Sequence, residues 1–376
     1  MSSPLRVVLV GQAPPPYGGQ AIMIEQTLAG HYDGTELTFV RMAFARELRG
    51  SGRATVRKAA HLLGLVSRIA WARVRSNATV LYYPPAGPER VPMYRDIVVL
   101  LCTRWMFTST IFHFHAGGVS EIYPDLPAWL RALYRKAYFR PDVAIRTAPS
   151  APDDGRNLGA VREFVIPNGV QDAAADAPAA WFAARNAGTP RILFVGLLRE
   201  SKGVLVLLDA CVELAERGIR FELDLVGEFH SAAIEVEIRR RIQHGDLHAI
   251  VHHRGVLVGD AKHRAFAAAS VFAFPSFFES ETFGLVLVEA MQFGVPVVAS
   301  AWRGIPSVVE DDVTGFLVPV RDSHALAERL ALLLGDSDLR SRLGDAGRAR
   351  YKSRYTLDQY RDRLQSVFDT LAERVA

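Results

Sequence analysis

Val271-Phe272-Ala273-Phe274-Pro275-Ser276-Phe277-Phe278-Glu279-Ser280-Glu281-Thr282-Phe283-Gly284-Leu285-Val286-Leu287-Val288-Glu289-Ala290-Met291 reads as a strand, a loop and the start of a helix. The first four residues are apolar on both faces, as a strand buried in a doubly covered sheet requires. Pro275 ends the run, and a polar loop follows. A helix opens near Phe283-Gly284, with Glu281 before it and Glu289 two turns inside. Gly284 allows backbone to approach a ligand closely. The N–H groups of Gly284, Leu285 and Val286 at a positive helix end predict an anion site.

The same alternation runs outward in both directions. Strands are predicted at Leu5–Val10, Glu36–Arg41, Thr79–Tyr83, Thr110–His115, Asp142–Arg146 and Glu163–Ile166. A second set falls at Arg191–Val195, Phe221–Val226, Ile250–His253, Val271–Phe274, Val295–Ala299 and Phe316–Val318. Strands separated by helices imply parallel βαβ units. Length alone favours two cores. The expected architecture is two Rossmann-like, doubly wound α/β domains, residues 1–170 and 171–355, with a cleft between them where ligands bind. Gln171–Pro190, rich in Ala, Asp, Asn and Pro, reads as the linker between them. Residues 356–376 form one amphipathic helix with Leu357, Tyr360, Leu364, Val367, Phe368 and Leu371 at helical spacing.

Composition excludes several classes. Half the 376 residues are apolar and about a fifth charged, the balance of an ordinary globular enzyme. Cys102 and Cys211 stand far apart in apolar surroundings, so no disulfide framework is expected and a reducing cytoplasm fits. Ile97–Cys102 is far too short to span a membrane. Leu5–Gly11 runs into Pro14-Pro15-Pro16 and reads as a first strand rather than a leader. Residues 1–170 hold 20 Lys/Arg against 12 Asp/Glu, and the remainder 24 against 28; a basic first half and a slightly acidic second half suggest that the halves face different partners.

Three further stretches carry candidate chemistry. Arg191–Val195 leads through Gly196 to Arg199 and Lys202, two cations placed to stabilise charge on a departing phosphate. No Walker phosphate loop is present, because the second glycine before Lys-Ser/Thr is missing. Gly18-Gly19 follows the first strand and a proline-stiffened loop, and the Gly-x-Gly-x-x-Gly fingerprint of dinucleotide sites is absent there. Phe112-His113-Phe114-His115-Ala116-Gly117 places His113 and His115 on one strand face, His115 at the carboxyl end. No His-x-x-x-His or Asp-x-Asp spacing accompanies them, so no metal site is expected.

Glu281 and Glu289, with seven residues between them within Glu-x-Phe-Gly-Leu…Glu-Ala-Met…Gly-Val-Pro-Val-Val-Ala-Ser, resemble the Glu-x7-Glu segment of retaining glycosyltransferases of family 4, which have the GT-B fold. The resemblance implies that Glu281 meets the donor sugar and Glu289 the nucleotide ribose, while the backbone of Phe283, Gly284 and Leu285 holds the diphosphate. Thr282 stands where glycine is commoner. Lys202 matches the family's Val-Gly-Arg-Leu-x-x-x-Lys-Gly; its arginine is Leu197 here, and Arg199 is the cation nearest that place. Gly18-Gly19 and His115 resemble the family's glycine loop and donor-facing histidine. Gly227 and Val256 fall where relatives line the nucleotide. The C-terminal helix crosses back to the first domain in relatives. The implied reaction is transfer from a UDP- or GDP-type sugar to a glycan or lipid-linked acceptor, without cofactor or essential metal, in surface polysaccharide assembly. The alternatives are a sugar-nucleotide epimerase on the same fold, and a catalytically silent glycan- or lipid-binding relative.

Arg46–Arg75 holds eight cations (Arg46, Arg49, Arg53, Arg57, Lys58, Arg68, Arg73 and Arg75) against Glu47 alone. Leu62, Leu63, Leu65, Val66, Ile69 and Trp71 interleave. The stretch reads either as a solvated helix packing its apolar stripe on the sheet or as a helix seated on anionic lipid, which would make the enzyme cytoplasmic and peripheral on the inner membrane face. No nucleic-acid recognition module is visible.

Overall fold

The computed structural model describes residues 4–15, 17–42, 54–186 and 188–375. The chain divides into two compact units, residues 1–168 with 358–376, and residues 169–357.

The first unit opens with β1 (Leu5–Gly11), α1 (Gly19–Leu28) and β2 (Thr35–Arg41). It continues through α2 (Ala54–Ser76), β3 (Val80–Tyr83), α3 (Arg90–Thr103) and β4 (Ser109–Phe114). α4 (Ala128–Tyr138), β5 (Val143–Arg146), the short α5 (Asp154–Asn157) and β6 (Arg162–Val165) complete its first pass. The six strands are parallel, in the order β2-β1-β3-β4-β5-β6. α2, α3 and α4 bury Leu65, Ile69, Ile97, Leu100, Leu130 and Tyr134 in one core with Val8, Leu81 and Phe112 of the sheet.

The second unit runs α6 (Ala179–Asn186), β7 (Arg191–Val195), α7 (Val204–Glu216), β8 (Glu222–Val226) and α8 (Ala232–His244). β9 (Val251–Gly255), α9 (Gly259–Ala268), β10 (Val271–Phe274) and α10 (Leu285–Gln292) follow. It closes with β11 (Val297–Ser300), α11 (Ile305–Val308), β12 (Gly315–Val318), α12 (Ser323–Gly335) and α13 (Ser337–Arg354). Its parallel sheet has the order β12-β11-β10-β7-β8-β9. α14 (Leu357–Val375) belongs to the first unit from Asp358 on. There the Tyr360 hydroxyl meets Thr27 Oγ1 at 2.7 Å, and Phe368 packs edge-on against Tyr32.

Three expectations need correction. Gln171–Pro190 is not a bare linker: it contains α6, and Arg185 on that helix donates to the carbonyls of Ala267 and Phe293 in the second unit's core. β11 starts at Val297, not Val295, since Pro296 has no N–H for a ladder. α10 is eight residues long, so Glu289 stands in its second turn rather than two full turns inside. Arg46, Arg49 and Arg53 lie outside the described residues, as do the side chains of Arg57 and Lys58.

Candidate active site

In the second unit β7 lies between β8 and β10, so the strand order reverses beside β7. At such a point successive crossovers leave the sheet on opposite sides, and the loops beyond the carboxyl ends part to admit a ligand. The loops after β7 and β10 are therefore neighbours, although 79 residues separate Lys202 from Glu281.

These two loops are stitched together by backbone. Phe277 N donates to Ser201 O at 2.8 Å. Gly203, at φ +81°, caps α7 and passes so close beneath Pro275 that a Cβ there would overlap the Pro275 carbonyl. That approach delivers the Lys202 ammonium to Glu281 Oε2 at 2.7 Å, where Ser276 Oγ also donates at 3.2 Å. The same ammonium sits 4.5 Å from the Phe278 ring centroid, and the Arg199 guanidinium lies 5.0 Å from it. Two cations thus gather on one aromatic ring beside a buried carboxylate. Thr282 keeps its backbone out of the left-handed region and is buried, so its departure from glycine is accommodated. Gly304 explains how: it packs against the Thr282 carbonyl with room for no side chain.

Gly284, at φ +77°, caps α10. The first N–H groups of a helix have no partner within it, and here they belong to Leu285 and Val286, two residues past Phe283. Glu289, one turn along, accepts from Lys262 of α9 at 2.7 Å through Oε1. Its Oε2 is buried with no hydrogen-bond partner among the described residues. A carboxylate oxygen so placed is an acceptor left open for a hydroxyl, because burying it unsatisfied is costly. Packing requires glycine at 227, since a Cβ there would overlap the Gly196 carbonyl. Val256, just past β9, is exposed.

In the first unit the candidates take a different form. Gly18 caps α1 and Gly19 begins it, and a Cβ at either would meet nothing within 4 Å. His115 lies one residue beyond β4, stacked on His113 with ring centroids 3.9 Å apart. Burial pushes the His115 pKa down to about 3, so its imidazole is neutral at physiological pH. His113, also held neutral by burial, bonds the Tyr82 hydroxyl and stacks towards Tyr360 of α14. Next to His115, the buried Asp154 carboxylate accepts from Gly118 N, Ser120 N and Ser120 Oγ at 2.7–2.9 Å and fixes the loop after β4. Asp96 does the same after β3, accepting from Tyr83 Oη and Ala86 N.

Ser276, Lys262, Asp96 and Asp154 were not singled out from the sequence. For Lys262 a signal was there. Only five of the chain's 44 basic residues are lysines, and two of the five sit on Glu281 and Glu289. A lysine among so many arginines marks a place that needs a compact, mobile point charge rather than a planar fork.

Residues 180–350 match the family model described as Glycosyl transferases group 1. The chain is 33% identical over 182 residues to the O-antigen chain mannosyltransferase C of Escherichia coli, which covers 48% of this chain and 47% of that protein. It is 37% identical over 213 residues to a phosphatidyl-myo-inositol mannosyltransferase of Mycobacterium leprae (strain TN), covering 55% and 53%. The chain thus spans about half the length of the curated relatives it matches. Among solved structures, sucrose-phosphate synthase from Thermosynechococcus elongatus superposes with a TM-score of 0.77 at 22% identity, covering 98% of this chain and 99% of that one. HepE of Anabaena, solved with UDP, gives 0.75 at 18% identity over 97% and 100%. At these identities the likeness is one of fold. Residues 180–350 are therefore similar to the glycosyl transferases group 1 domain, in a chain whose fold is GT-B.

Proposed function

We propose that this chain is a retaining glycosyltransferase that moves a sugar from a UDP- or GDP-type donor to a glycan or lipid-linked acceptor. The observation that carries the reading is the open Oε2 of Glu289, one turn from the α10 N-terminus and close in sequence to the Lys202–Glu281 pair. A diphosphate at the helix mouth would have its ribose towards Glu289 and its sugar towards Glu281. Lys202 and Arg199 would neutralise charge as the diphosphate departs, which is where a fixed cation lowers the barrier most. Glu281 shares its proton-accepting oxygen with Lys202 and Ser276, so it suits sugar hydroxyls better than proton transfer. Neutral His115 can take part only as a hydrogen-bonding group and not as a cation. With Lys202, Arg199 and helix N–H groups available for the phosphates, transfer should need no divalent metal.

The names of the relatives support a glycan or lipid acceptor and set mannose as the sugar to try first, beside the glucose that HepE of Anabaena holds as UDP-glucose. The test is a thermal shift with UDP, GDP, ADP and TDP, each in excess EDTA. A nucleotide at 100 times its Kd should stabilise the fold by about 2.7 kcal/mol. No shift with any of the four at millimolar concentration refutes the reading. Release of nucleoside diphosphate only when acceptor is supplied separates transfer from epimerisation.

A further inference from the structure

The outer face of the α2–α3–α4 layer has a composition that its own fold does not explain. α3 packs between α2 and α4, and the three helices turn their inner sides to the sheet. On the outer side α3 presents Val91, Tyr94 and Val98 at helical spacing, and Trp105 stands just past its end, 76% exposed. α4 presents Trp129, 64% exposed, and Leu133 one turn on; α2 presents Leu63, Trp71 and Val74. Large apolar groups gathered on one face, three of them tryptophans, mark an interaction site rather than ordinary surface.

The charge on this face has one sign. α2 and α4 contain no Asp or Glu. α3 contains only Asp96, which is fully buried against Tyr83 and Arg95. Arg68, Arg75, Arg90, Arg131, Arg135 and Lys136 are exposed around the apolar stripe. Arg75 lies over the Trp71 ring, 5.0 Å from its centroid. Beside Trp105 a crevice of about 320 Å³ opens between the ends of α3 and α4, with Arg104 and Lys136 in its wall. The carboxylates that flank the face, Glu89, Glu121, Asp125 and Asp142, all lie outside the three helices; Asp142 is in the crevice wall, where its Oδ2 accepts from Thr110 N at 2.9 Å.

We propose that this face seats the first unit on an anionic lipid bilayer. Tryptophan and tyrosine, with an apolar body and a polar edge, settle at the boundary between headgroups and acyl chains. Arginine and lysine around them meet lipid phosphates, while the three helices turn no carboxylate outward. A protein partner would have to supply an acidic, apolar counterface of its own; a bilayer with anionic headgroups supplies both properties along all three helices at once. Arg68 and Arg75 of α2 form one border of this face, and Trp105, Trp129 and the cations of α4 are its centre. The proposal does not depend on the identity of the donor or acceptor.

The experiment uses the full chain and vesicles of phosphatidylglycerol mixed with phosphatidylcholine, or of phosphatidylcholine alone, in a flotation assay at low and high salt. Wild type should float with the anionic vesicles at low salt and be released at high salt, because exposed charges are screened over about 10 Å at 0.1 M. Each basic residue at an anionic surface adds about fivefold to binding, so Arg131→Glu, Arg135→Glu and Lys136→Glu together should weaken it more than 100-fold. Trp105→Ser with Trp129→Ser should weaken it at least tenfold and leave the salt dependence intact. Both variants should keep the wild-type melting temperature and nucleotide-induced shift, which shows that they are folded. Equal flotation with neutral vesicles, unchanged flotation of both variants, or lipid-free self-association abolished by the tryptophan changes would each overturn the proposal. Failure of nucleotide binding alone would sink the transferase reading and leave this one standing.

Discussion

The loops at the carboxyl ends of the second sheet and the helix layer of the first unit use charge in opposite ways. In the second unit the chemistry-bearing charges are paired inside the protein: Lys202 with Glu281 and Lys262 with Glu289. The surface helix α8 follows the same habit, with Arg239, Arg240 and Arg241 on Glu235 and Glu237. In the first unit, α2 and α4 carry cations with no carboxylate on the helix to pair them, among exposed aromatic rings. Internal pairing fixes side chains before a ligand arrives, so little order has to be created on binding. Charge of one sign turned outward creates a long-range field instead, and answers to something outside the chain.

Glycines draw the same contrast, and give the largest expected effect. Gly203→Ala puts a Cβ onto the Pro275 carbonyl at a positive φ, and should cost about 3 kcal/mol or more while separating Lys202 from Glu281. Gly18→Ala meets open space at an ordinary backbone conformation, so its melting temperature should match the wild type. If Gly18→Ala lowers turnover all the same, glycine is needed there for a ligand's approach rather than for the fold. Differential scanning calorimetry with a turnover assay reads both, and equal stability of the two variants would break the contrast.

Within the second unit the paired charges should divide their labour. Lys202→Ala removes the cation beside the leaving group and should lower kcat on the order of 100-fold. Glu281→Ala should lower turnover more than nucleotide affinity. Glu289→Ala should raise the nucleotide Kd about tenfold, the loss of one charged hydrogen bond of about 1.5 kcal/mol. Steady-state kinetics beside nucleotide titration checks all three; full turnover and unchanged affinity throughout would mean that the pairs are structural.

The first unit should carry a modest acid sensitivity of its own. His115 has its pKa depressed from 6.5 to about 3 by burial, so the unfolded chain binds the extra proton first. The stabilising contribution is complete above pH 6.5 and is lost progressively as pH falls towards 3. His115→Asn should therefore flatten the fall of melting temperature between pH 6.5 and 4 relative to wild type. An unchanged slope would place the acid sensitivity elsewhere, with His113 the next residue to replace.

Much of the fold was legible because it rests on local rules. Apolar runs of four to seven residues between longer helical patterns mark parallel strands wherever both faces are covered, and Arg191–Val195 and Val271–Phe274 were delimited to the residue. Linker boundaries were less legible: α6 is short, and Arg185 holds it through carbonyls 81 to 109 residues away.

By itself the sequence determined two sets of strand–helix repeats, a glutamate pair at fixed spacing, and a first half with surplus positive charge. Those properties follow from residue type and near-neighbour spacing, on which helix and strand periodicity act directly. Only the tertiary structure decided that Lys202 pairs with Glu281 and Lys262 with Glu289, leaving one oxygen of Glu289 open. It alone decided that Trp105, Trp129 and Val91 face outward on a layer whose helices turn no carboxylate to the outside. The physical reason is the same in both cases: which distant segments become neighbours is set by strand order in the sheet, and β7 meets β10 through a crossover that no local pattern encodes.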